Sequence, residues 1–238
     1  MKKTFLFLVL LCSVTIIRSQ DDSNTRLPII GDQAPAFNVV STNGNIKFPA
    51  DFGKNWKIIF SHPQDFTPVC SSELLELAYM QGDFEKLNTK LLVLSVDSVS
   101  VHNDWKKALE EINYKGRGTV KINFPIASDR NYVVSKEYGM LSNATNSKKT
   151  VRAVFIIDPE NTIQTVLYYP MNVGRNIDEI KRTLIALQTV ARNDISTPAN
   201  WQQGNDVLLH IKPSAEELSK PDNGGINELS WFMIFKKM

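Results

Sequence analysis

The sequence predicts an α/β protein with a central mixed β-sheet, flanking helices and a C-terminal extension. Short apolar runs typical of buried strands alternate with segments whose apolar residues recur at helical spacing. Two of these runs, in the second half of the chain, are joined by only four residues, a connection too short for parallel strands. From about Ile195, prolines and glycines interrupt the alternation and set a C-terminal arm apart from the main domain.

The composition is that of an ordinary globular protein. The chain has 238 residues, with 27 Lys and Arg against 25 Asp and Glu, which gives a formal net charge of +2. Its hydrophobic fraction of 42% is sufficient for a full core. This near-neutral balance lacks the basic footprint of a nucleic-acid-binding protein. With two cysteines, the chain can be neither a disulfide-rich scaffold nor a four-cysteine metal protein.

Residues 1–20 are predicted to be a secretory signal peptide. Two lysines follow the initial Met, an apolar run spans residues 4–17, and polar residues come next. This run is short for a membrane span, which needs roughly 20 residues. We expect cleavage near Ser19 or Gln20, and the alternative is an uncleaved anchor or a buried N-terminal helix. Cleavage would leave Cys70 as the single cysteine of a secreted or periplasmic protein with no stable membrane span.

The first elements of the main domain follow from apolar spacing and helix-capping residues. Residues 56–61 form an apolar run typical of a buried strand. Thr67 and Pro68 are residue types favoured at the N-cap and the first position of a helix, and the apolar spacing extends this helix to about Gln81. A second buried strand is predicted at residues 91–96.

The next elements are two helices and a hairpin. An amphipathic helix is predicted over residues 101–112, and a short helical pattern at residues 132–138 stops at Gly139. Residues 152–157 and 162–169 are the two closely connected apolar runs, so they are predicted to form an antiparallel hairpin. The hairpin strands could also present a sheet edge for pairing between subunits.

A last helix, lined by apolar residues from Ile177 to Ala191, completes the main domain. The order strand, helix, strand, helix, hairpin, helix is that of a thioredoxin-like fold. We therefore expect a main domain over residues 28–192 and an extension over residues 193–238, with a strand-like segment at Val207–Leu209. Such an arm could serve as a lid, an interface or a frayed tail.

Cys70 lies in the first turn of the helix that begins at Pro68. The unpaired backbone N–H groups and the positive end of the helix dipole favour the thiolate there, and the thiolate is the nucleophilic form of cysteine. Free cysteine is also among the most buried residue types, so an inert structural thiol is the alternative. Cys70 follows a predicted strand and opens a predicted helix, and this context alone makes a catalytic thiol and a structural thiol about equally plausible.

A local motif favours the catalytic interpretation. Pro63, Thr67 and Cys70 occur in the pattern Pro-x-x-x-Thr-x-x-Cys, which resembles the active-site signature of the peroxiredoxins. The string over residues 61–70 is most similar to the one-cysteine class of that family, and the similarity covers about residues 29–215. Further matching segments lie at residues 151–159, 169–170, 174–176 and 197–201.

The resemblance implies a role for each motif residue. Cys70 would be the peroxidatic nucleophile, and Arg152 the fixed cation that favours the thiolate and supports the transition state. Thr67 would present its hydroxyl to the sulfur or the bound peroxide, although the same hydroxyl could cap the helix. Pro63 would shield the oxidised sulfur. The alternatives are ordinary turn and cap chemistry for Thr67 and Pro63, and a surface strand charge for Arg152.

Three further residues are candidates for supporting roles. Glu73 follows Cys70 by one helical turn and could pair with Arg152 or Arg175, or else be a solvated residue on the helix face. His62 matches the one-cysteine pattern and could assist the oxidised sulfur, but a lone histidine at a strand end also suits a structural role.

No cofactor and no metal are expected. His102 and His210 show no metal-ligand spacing with the histidine of the motif. The stretch 53–57 lacks the Gly-x-Ser-x-Gly pattern of a lipase-type site found in some relatives, so no phospholipase activity is inferred.

The resemblance implies a thiol-specific peroxidase that reduces hydrogen peroxide and alkyl hydroperoxides. Its sulfenic acid would be resolved by an external thiol, because the mature chain lacks a second cysteine. A homodimer or higher homo-oligomer is expected, and no nucleic acid partner. The alternatives are a redox-regulated holdase or peroxide sensor with little turnover, and a thioredoxin-like module with an inert thiol.

Overall fold

The computed structural model describes residues 26–141, 149–214, 216 and 224–238. The predicted signal peptide lies outside these residues. Among the described residues, no helix has both the length and the hydrophobicity of a membrane span.

The described residues form four α-helices and two groups of strands. The helices are α1 (Pro68–Lys86), α2 (Val99–Glu110), α3 (Val133–Glu137) and α4 (Ile177–Arg192). The strands of the main domain are β1 (Phe37–Ser41), β2 (Gly44–Phe48), β3 (Trp56–Ser61), β4 (Thr89–Ser95), β5 (Ile126–Ser128), β6 (Arg152–Ile157) and β7 (Ile163–Tyr169). Those of the C-terminal arm are β8 (Ile195–Ser196), β9 (Val207–Leu209), β10 (Ile226–Ser230) and β11 (Met233–Lys236).

The strands of the main domain form one mixed sheet in the order β2-β1-β5-β4-β3-β6-β7. Strand β4 pairs in parallel with both β3 and β5, and the remaining pairs are antiparallel. The predicted hairpin is confirmed as β6 and β7. Of the two hairpin strands, β7 lies at an edge of the sheet and β6 does not, because β6 pairs with β3 on its other side. The expectation that residues 154–157 could also present an edge is therefore wrong.

Helices cover both faces of this sheet, as predicted. Helices α1, α2 and α4 bury apolar side chains on one face, in a core that includes Cys70 and Trp105. On the opposite face, α3 packs with aromatic residues of the N-terminal hairpin and with Tyr138 and Phe155. This arrangement confirms the thioredoxin-like fold, with the end of β3 and the start of α1 in the middle of the structure.

Several elements differ from the sequence prediction, and two of the differences have a clear local cause. Helix α1 continues past Gln81 to Lys86, because Phe84 in its last turn is fully buried and anchors that turn to the core. The β1–β2 hairpin was not predicted, although Asn43 and Gly44 are a common turn pair and Gly44 has a positive φ of 97°.

The C-terminal arm is an ordered addition to the main domain. Its four strands form a small sheet in the order β10-β11-β9-β8. Trp201 and Val207 pack with Ile195 and with Ala186 of α4 in a separate apolar cluster. Arg182 of α4 donates a hydrogen bond of 2.9 Å to the carbonyl oxygen of Trp201. The arm is therefore tied to α4 and is not a frayed tail over these residues.

Candidate active site

Cys70 lies in the first turn of α1, and its side chain is fully buried. Thr67 occupies the N-cap position with an extended backbone, and Pro68 is the first helical residue, as predicted. The Ser71 amide donates to the carbonyl oxygen of Thr67 at 2.9 Å. The thiol is therefore placed at the positive end of a helix of 19 residues.

Arg152 is the cation in contact with the thiol. Its Nη1 lies 3.3 Å from Cys70 Sγ, although 82 residues separate the two in sequence. They meet because β6 pairs with β3, which places the start of β6 beside the turn that leads into α1. Nε and Nη2 of Arg152 donate to the carbonyl oxygen of Met171 at 2.9 and 2.5 Å. These bonds fix the plane of the guanidinium, and the side chain is only 2% exposed, which excludes a surface strand charge.

Glu73 bridges two arginines. Its Oε2 accepts from Nη1 of Arg152 at 2.7 Å and from Nη2 of Arg175 at 2.8 Å. Its Oε1 accepts from the backbone amide and the Nε of Arg175, at 2.8 and 2.9 Å. Glu73 thus pairs with Arg152 and Arg175 at the same time, and the alternative of a solvated glutamate on the helix face is wrong. We call Cys70, Glu73, Arg152 and Arg175 the guanidinium cluster.

The pKa of Glu73 reflects two opposing influences. Burial raises the pKa of this carboxyl, but the charge and hydrogen bonds of Arg175, together with the charge of Arg152, outweigh burial. The net result is a pKa below the ordinary value, so Glu73 is a carboxylate.

The charges of the guanidinium cluster balance only with an ionised thiol. Two guanidinium groups and one carboxylate leave one positive charge, and all of these side chains are buried. An unbalanced charge in such surroundings is costly. A thiolate on Cys70 would cancel this charge, whereas a neutral thiol would leave it.

Arg175 also secures the sheet beneath the thiol. Its Nη1 donates to the carbonyl oxygens of Ser61 and Ala153, each at 2.9 Å, and its guanidinium lies 5.1 Å from the centroid of the Phe60 ring. This side chain therefore joins the ends of β3 and β6, the two strands that position the turn and Arg152.

Thr67 and Pro63 lie in the loop between β3 and α1. The Thr67 hydroxyl donates to the carbonyl oxygen of Gln64 at 2.9 Å and makes no side-chain cap bond to α1. The helix-capping alternative for this hydroxyl is therefore wrong, while its oxygen lone pairs stay available to a donor. Pro63 is buried in the same loop.

His62 belongs to a second buried cluster, which the sequence analysis missed. His62 Nε2 lies 2.8 Å from Oδ1 of Asp65, and His102 Nδ1 lies 2.6 Å from Oδ2 of the same carboxylate. His102 Nε2 lies 3.2 Å from the carbonyl oxygen of Ala127. We call His62, Asp65 and His102 the imidazole cluster. Asp65, three residues after His62 within the motif string, was the available signal.

The imidazole cluster corrects the view that His102 is unrelated to His62. Their rings share one carboxylate, with centroids 6.3 Å apart, whereas His210 lies elsewhere and contacts Ser196. Atoms of His62, Asp65 and Asp97 come within 4.8 Å of one another, a spacing that a metal ion could use. Asp97 Oδ2, however, already accepts from the Asp65 amide at 2.9 Å, and the Nε2 of His62 is engaged with Oδ1 of Asp65. We assign no metal to this group.

Comparison with known families gives two matches. Residues 30–166 match the AhpC/TSA family, and residues 186–220 match the C-terminal domain of 1-Cys peroxiredoxin. The first match contains the guanidinium cluster except Arg175. The second spans the end of α4 and most of the arm that follows it.

Comparison with individual proteins agrees. The chain is 49% identical to a peroxiredoxin of Methanosarcina mazei, over 89% of this chain and 98% of the relative. It is 44% identical to peroxiredoxin 2 of Sulfurisphaera tokodaii, over 91% and 100%. Among solved structures, a yeast mitochondrial 1-Cys peroxiredoxin superposes with a TM-score of 0.76 at 35% identity, over 89% of this chain and 100% of that one. Peroxiredoxin 6 of Arenicola marina gives 0.76 at 30% identity, over 88% and 97%. The chain belongs to the peroxiredoxin family and carries the C-terminal domain of its 1-Cys members.

Proposed function

We propose that Cys70 is the peroxidatic nucleophile of a thiol-dependent peroxidase that reduces hydrogen peroxide and alkyl hydroperoxides in antioxidant defence. The observation that carries this proposal is the contact of 3.3 Å between Cys70 Sγ and Arg152 Nη1, inside a buried cluster whose charges balance only with a thiolate. Membership of the peroxiredoxin family supports the same activity.

The first step is attack of the Cys70 thiolate on the terminal oxygen of the hydroperoxide. An S–O bond forms, the O–O bond breaks, and the leaving oxygen departs as alkoxide or hydroxide, which takes up one proton to give alcohol or water. Cys70 is oxidised by two electrons to the sulfenic acid, and the peroxide is reduced by two. Arg152 stabilises the negative charge as it passes from sulfur to oxygen, and a guanidinium can do so without losing a proton.

An external thiol completes the cycle. Cys70 is the only cysteine among the described residues, so the sulfenic acid has no partner there for an internal disulfide. One thiol condenses with the sulfenic acid to give a mixed disulfide and water. A second thiol displaces it, which restores Cys70 and releases the oxidised reductant as a disulfide. The yeast 1-Cys peroxiredoxin is described as resolved by glutathione/thioredoxin systems, so both are candidates here.

The neighbouring residues take supporting roles in this proposal. Thr67 orients the peroxide through its hydroxyl, and Pro63 shields the oxidised sulfur without donating a hydrogen bond. Glu73 and Arg175 hold Arg152 in place, as the hydrogen bonds of Glu73 to both arginines support. His62 assists the oxidised sulfur or the step with the reductant.

The test uses the purified full chain with stoichiometric hydrogen peroxide. We expect loss of the Cys70 thiol and a mass gain of one oxygen atom, followed by turnover when dithiothreitol is supplied. Cys70→Ser should abolish both, whereas Cys12→Ser, which removes the other cysteine of the sequence, should leave both intact. Equal slow consumption of peroxide by wild type and Cys70→Ser would contradict the proposal. Oxidation without turnover with glutathione, thioredoxin or dithiothreitol would favour the holdase or sensor instead.

We further propose that the protein is exported. The basic start, the apolar run over residues 4–17 and the polar stretch that follows support a signal peptide cleaved near Ser19 or Gln20. N-terminal sequencing of the protein from the native source tests this. A mature chain that still begins at residue 1 or 2 would contradict export with cleavage.

We also propose a homodimer or higher homo-oligomer. Strand β7 is an edge of the main sheet, and only its first residue, Ile163, is seen to pair outward, with the backbone of Gly31 and Asp32, which leaves room to pair with a second copy. The arm also exposes Trp231 and Phe232, which are 76% and 71% accessible. Light scattering coupled to gel filtration should give at least twice the mass of one chain, and a monomer at all concentrations tested would contradict this.

A further inference from the structure

The hydrogen bonds of the imidazole cluster fix its number of protons. The carbonyl oxygen of Ala127 can only accept, so His102 Nε2 carries a proton. One proton lies between His102 Nδ1 and Asp65, and one lies between Asp65 and His62 Nε2. The geometry therefore requires three protons, one more than two neutral imidazoles and a carboxylate contain.

Three protons also make the imidazole cluster electrically neutral. All three side chains are buried, so a cluster with two protons would place a net negative charge in the interior. Burial raises the pKa of Asp65, but its hydrogen bonds to His102 and His62 outweigh burial, and the net pKa is lowered. Burial lowers the pKa of His62 despite the bond to Asp65, which favours a neutral ring. With Asp65 as the carboxylate, the contacts of His102 with Asp65 and with the carbonyl oxygen of Ala127 each call for a donor on its ring.

This assignment leaves one nitrogen without a proton and without a partner. His62 Nδ1 is buried and has no hydrogen-bond partner among the described residues, whereas Nε2 donates to Asp65. A buried acceptor in this condition is uncommon in folded proteins and calls for an explanation, such as a catalytic role.

The unpartnered nitrogen belongs to a ring that packs against Trp105, a residue bonded to the first turn of α1. The His62 ring lies 5.1 Å from the ring of Trp105, whose Nε1 donates to the hydroxyl of Ser71 at 3.2 Å. Ser71 directly follows Cys70. On the backbone side, the carbonyl oxygen of Ser61, the residue before His62, accepts from Arg175 of the guanidinium cluster. His62 is thus linked indirectly to the surroundings of the thiol, through Trp105 on one side and through the backbone of Ser61 on the other.

We propose that Asp65 and His102 are positioning residues for the peroxidase: they hold the proton of His62 on Nε2, so that Nδ1 stays a bare hydrogen-bond acceptor beside the helix that carries Cys70. The inference rests on the proposed function for its consequence in turnover. The tautomer of His62 does not depend on the proposed function and can be tested separately. The ligand class for Nδ1 is a hydroxyl or thiol donor formed or bound during the Cys70 cycle.

The first test is a long-range ¹H–¹⁵N correlation spectrum of the histidine rings in the reduced full chain. We expect the His62 signals to show a protonated Nε2 and an unprotonated Nδ1, and the His102 signals to show both nitrogens protonated. A His62 ring protonated at Nδ1 would overturn the proposal, even if every variant failed to fold. A wild-type protein with this tautomer but no peroxide turnover would instead refute the proposed function.

The second test is Asp65→Asn, which keeps the side-chain shape but cannot accept from both rings at once. We expect His62 to populate the other tautomer, and either the oxidation of Cys70 by hydrogen peroxide or the reduction of its sulfenic acid by dithiothreitol to slow by about tenfold or more. Asp104→Asn is the matched control, because Asp104 is exposed and lies on α2, two residues from His102. A folded Asp65→Asn protein with the wild-type tautomer and both rates unchanged would overturn the proposal.

Discussion

The guanidinium cluster and the imidazole cluster have the same arrangement of charged groups but differ in whether they can gain or lose a proton. Each is buried and places one carboxylate between two nitrogen-bearing side chains, Glu73 between two arginines and Asp65 between two histidines. Arginine keeps its proton at any pH at which the protein is folded, whereas histidine can gain or lose one near neutrality. The charge beside the sulfur is therefore constant, and any proton-dependent adjustment falls to the imidazole side.

The two clusters meet at the end of β3. The carbonyl oxygen of Ser61 accepts from Arg175, and the next residue, His62, begins the imidazole cluster. A change in the backbone at this point would disturb both, so the strand end must be held firmly. The Ser61 hydroxyl does this by donating to the carbonyl oxygen of Val151 at 2.6 Å and accepting from the Ala153 amide at 2.9 Å.

The largest expected effect is on stability, from Glu73→Gln. This change leaves two buried guanidinium groups without their carboxylate, which should lower the free energy of unfolding by about 3 kcal/mol or more. Urea denaturation at neutral pH measures it. Glu179→Gln is the control, because Glu179 pairs with Arg182 at the surface and should cost less than about 1 kcal/mol. Equal losses in the two variants would show that the guanidinium cluster contributes no special stability.

The next effect is on rate, from Arg152→Lys. An ammonium cannot bond to Met171, Glu73 and the sulfur with the fixed geometry of a guanidinium. The second-order rate constant for oxidation of Cys70 by hydrogen peroxide should fall by about 100-fold. Stopped-flow measurement with Arg192→Lys as an exposed control decides the matter, and an unchanged rate constant would remove Arg152 from the proposed mechanism.

A smaller effect is the pH dependence of stability. The folded pKa of Glu73 is below the ordinary value of 4.5, so its contribution is complete above pH 4.5 and is lost as the pH falls through the folded pKa. The slope from this one group reaches about 1.4 kcal/mol per pH unit in that window. The free energy of unfolding, measured by urea denaturation at a series of pH values, should therefore fall more steeply below pH 4.5 in wild type than in Glu73→Gln. Parallel curves would mean that Glu73 titrates alike in the folded and unfolded chains.

The smallest effect is expected from Ser61→Ala. Loss of the two hydrogen bonds of this hydroxyl should cost about 1 kcal/mol and change the rate of Cys70 oxidation less than Arg152→Lys does. Ser72→Ala, which removes one bond within the first turns of α1, is the matched comparison. If Ser61→Ala were the milder of the two, the view of Ser61 as a joint between the clusters would be wrong.

The fold could be predicted where the sequence pattern is strong. Strands β3, β4 and β6 are largely apolar runs because both of their faces are buried. The start of α1 is marked by Thr67 at the N-cap and Pro68 at the first helical position. The β10–β11 hairpin could not be predicted in this way. Most of its side chains are exposed or only partly buried, so no alternation of apolar and polar residues marks its strands.

The site could be predicted only in part, for a related reason. Cys70 and Glu73 share a helix face, so their spacing shows that they are neighbours. Arg175 contacts Glu73 across 102 residues, and only the resemblance to a family indicated it. His102 contacts Asp65 across 37 residues because α2 packs against β5, and no local sequence motif predicts such a contact.

The complete burial of Cys70 leads us to expect that access to its sulfur depends on the size of the reactant. A sulfur with no accessible surface is reached first by the smallest oxidants, so hydrogen peroxide should react faster than a hydroperoxide with a bulky organic tail. The same barrier should delay every large thiol that arrives afterwards, so we expect the oxidised sulfur to persist longer with bulky reductants. Selection by size is therefore a property of how tightly the first turn of α1 is packed, before any group in the site recognises a substrate.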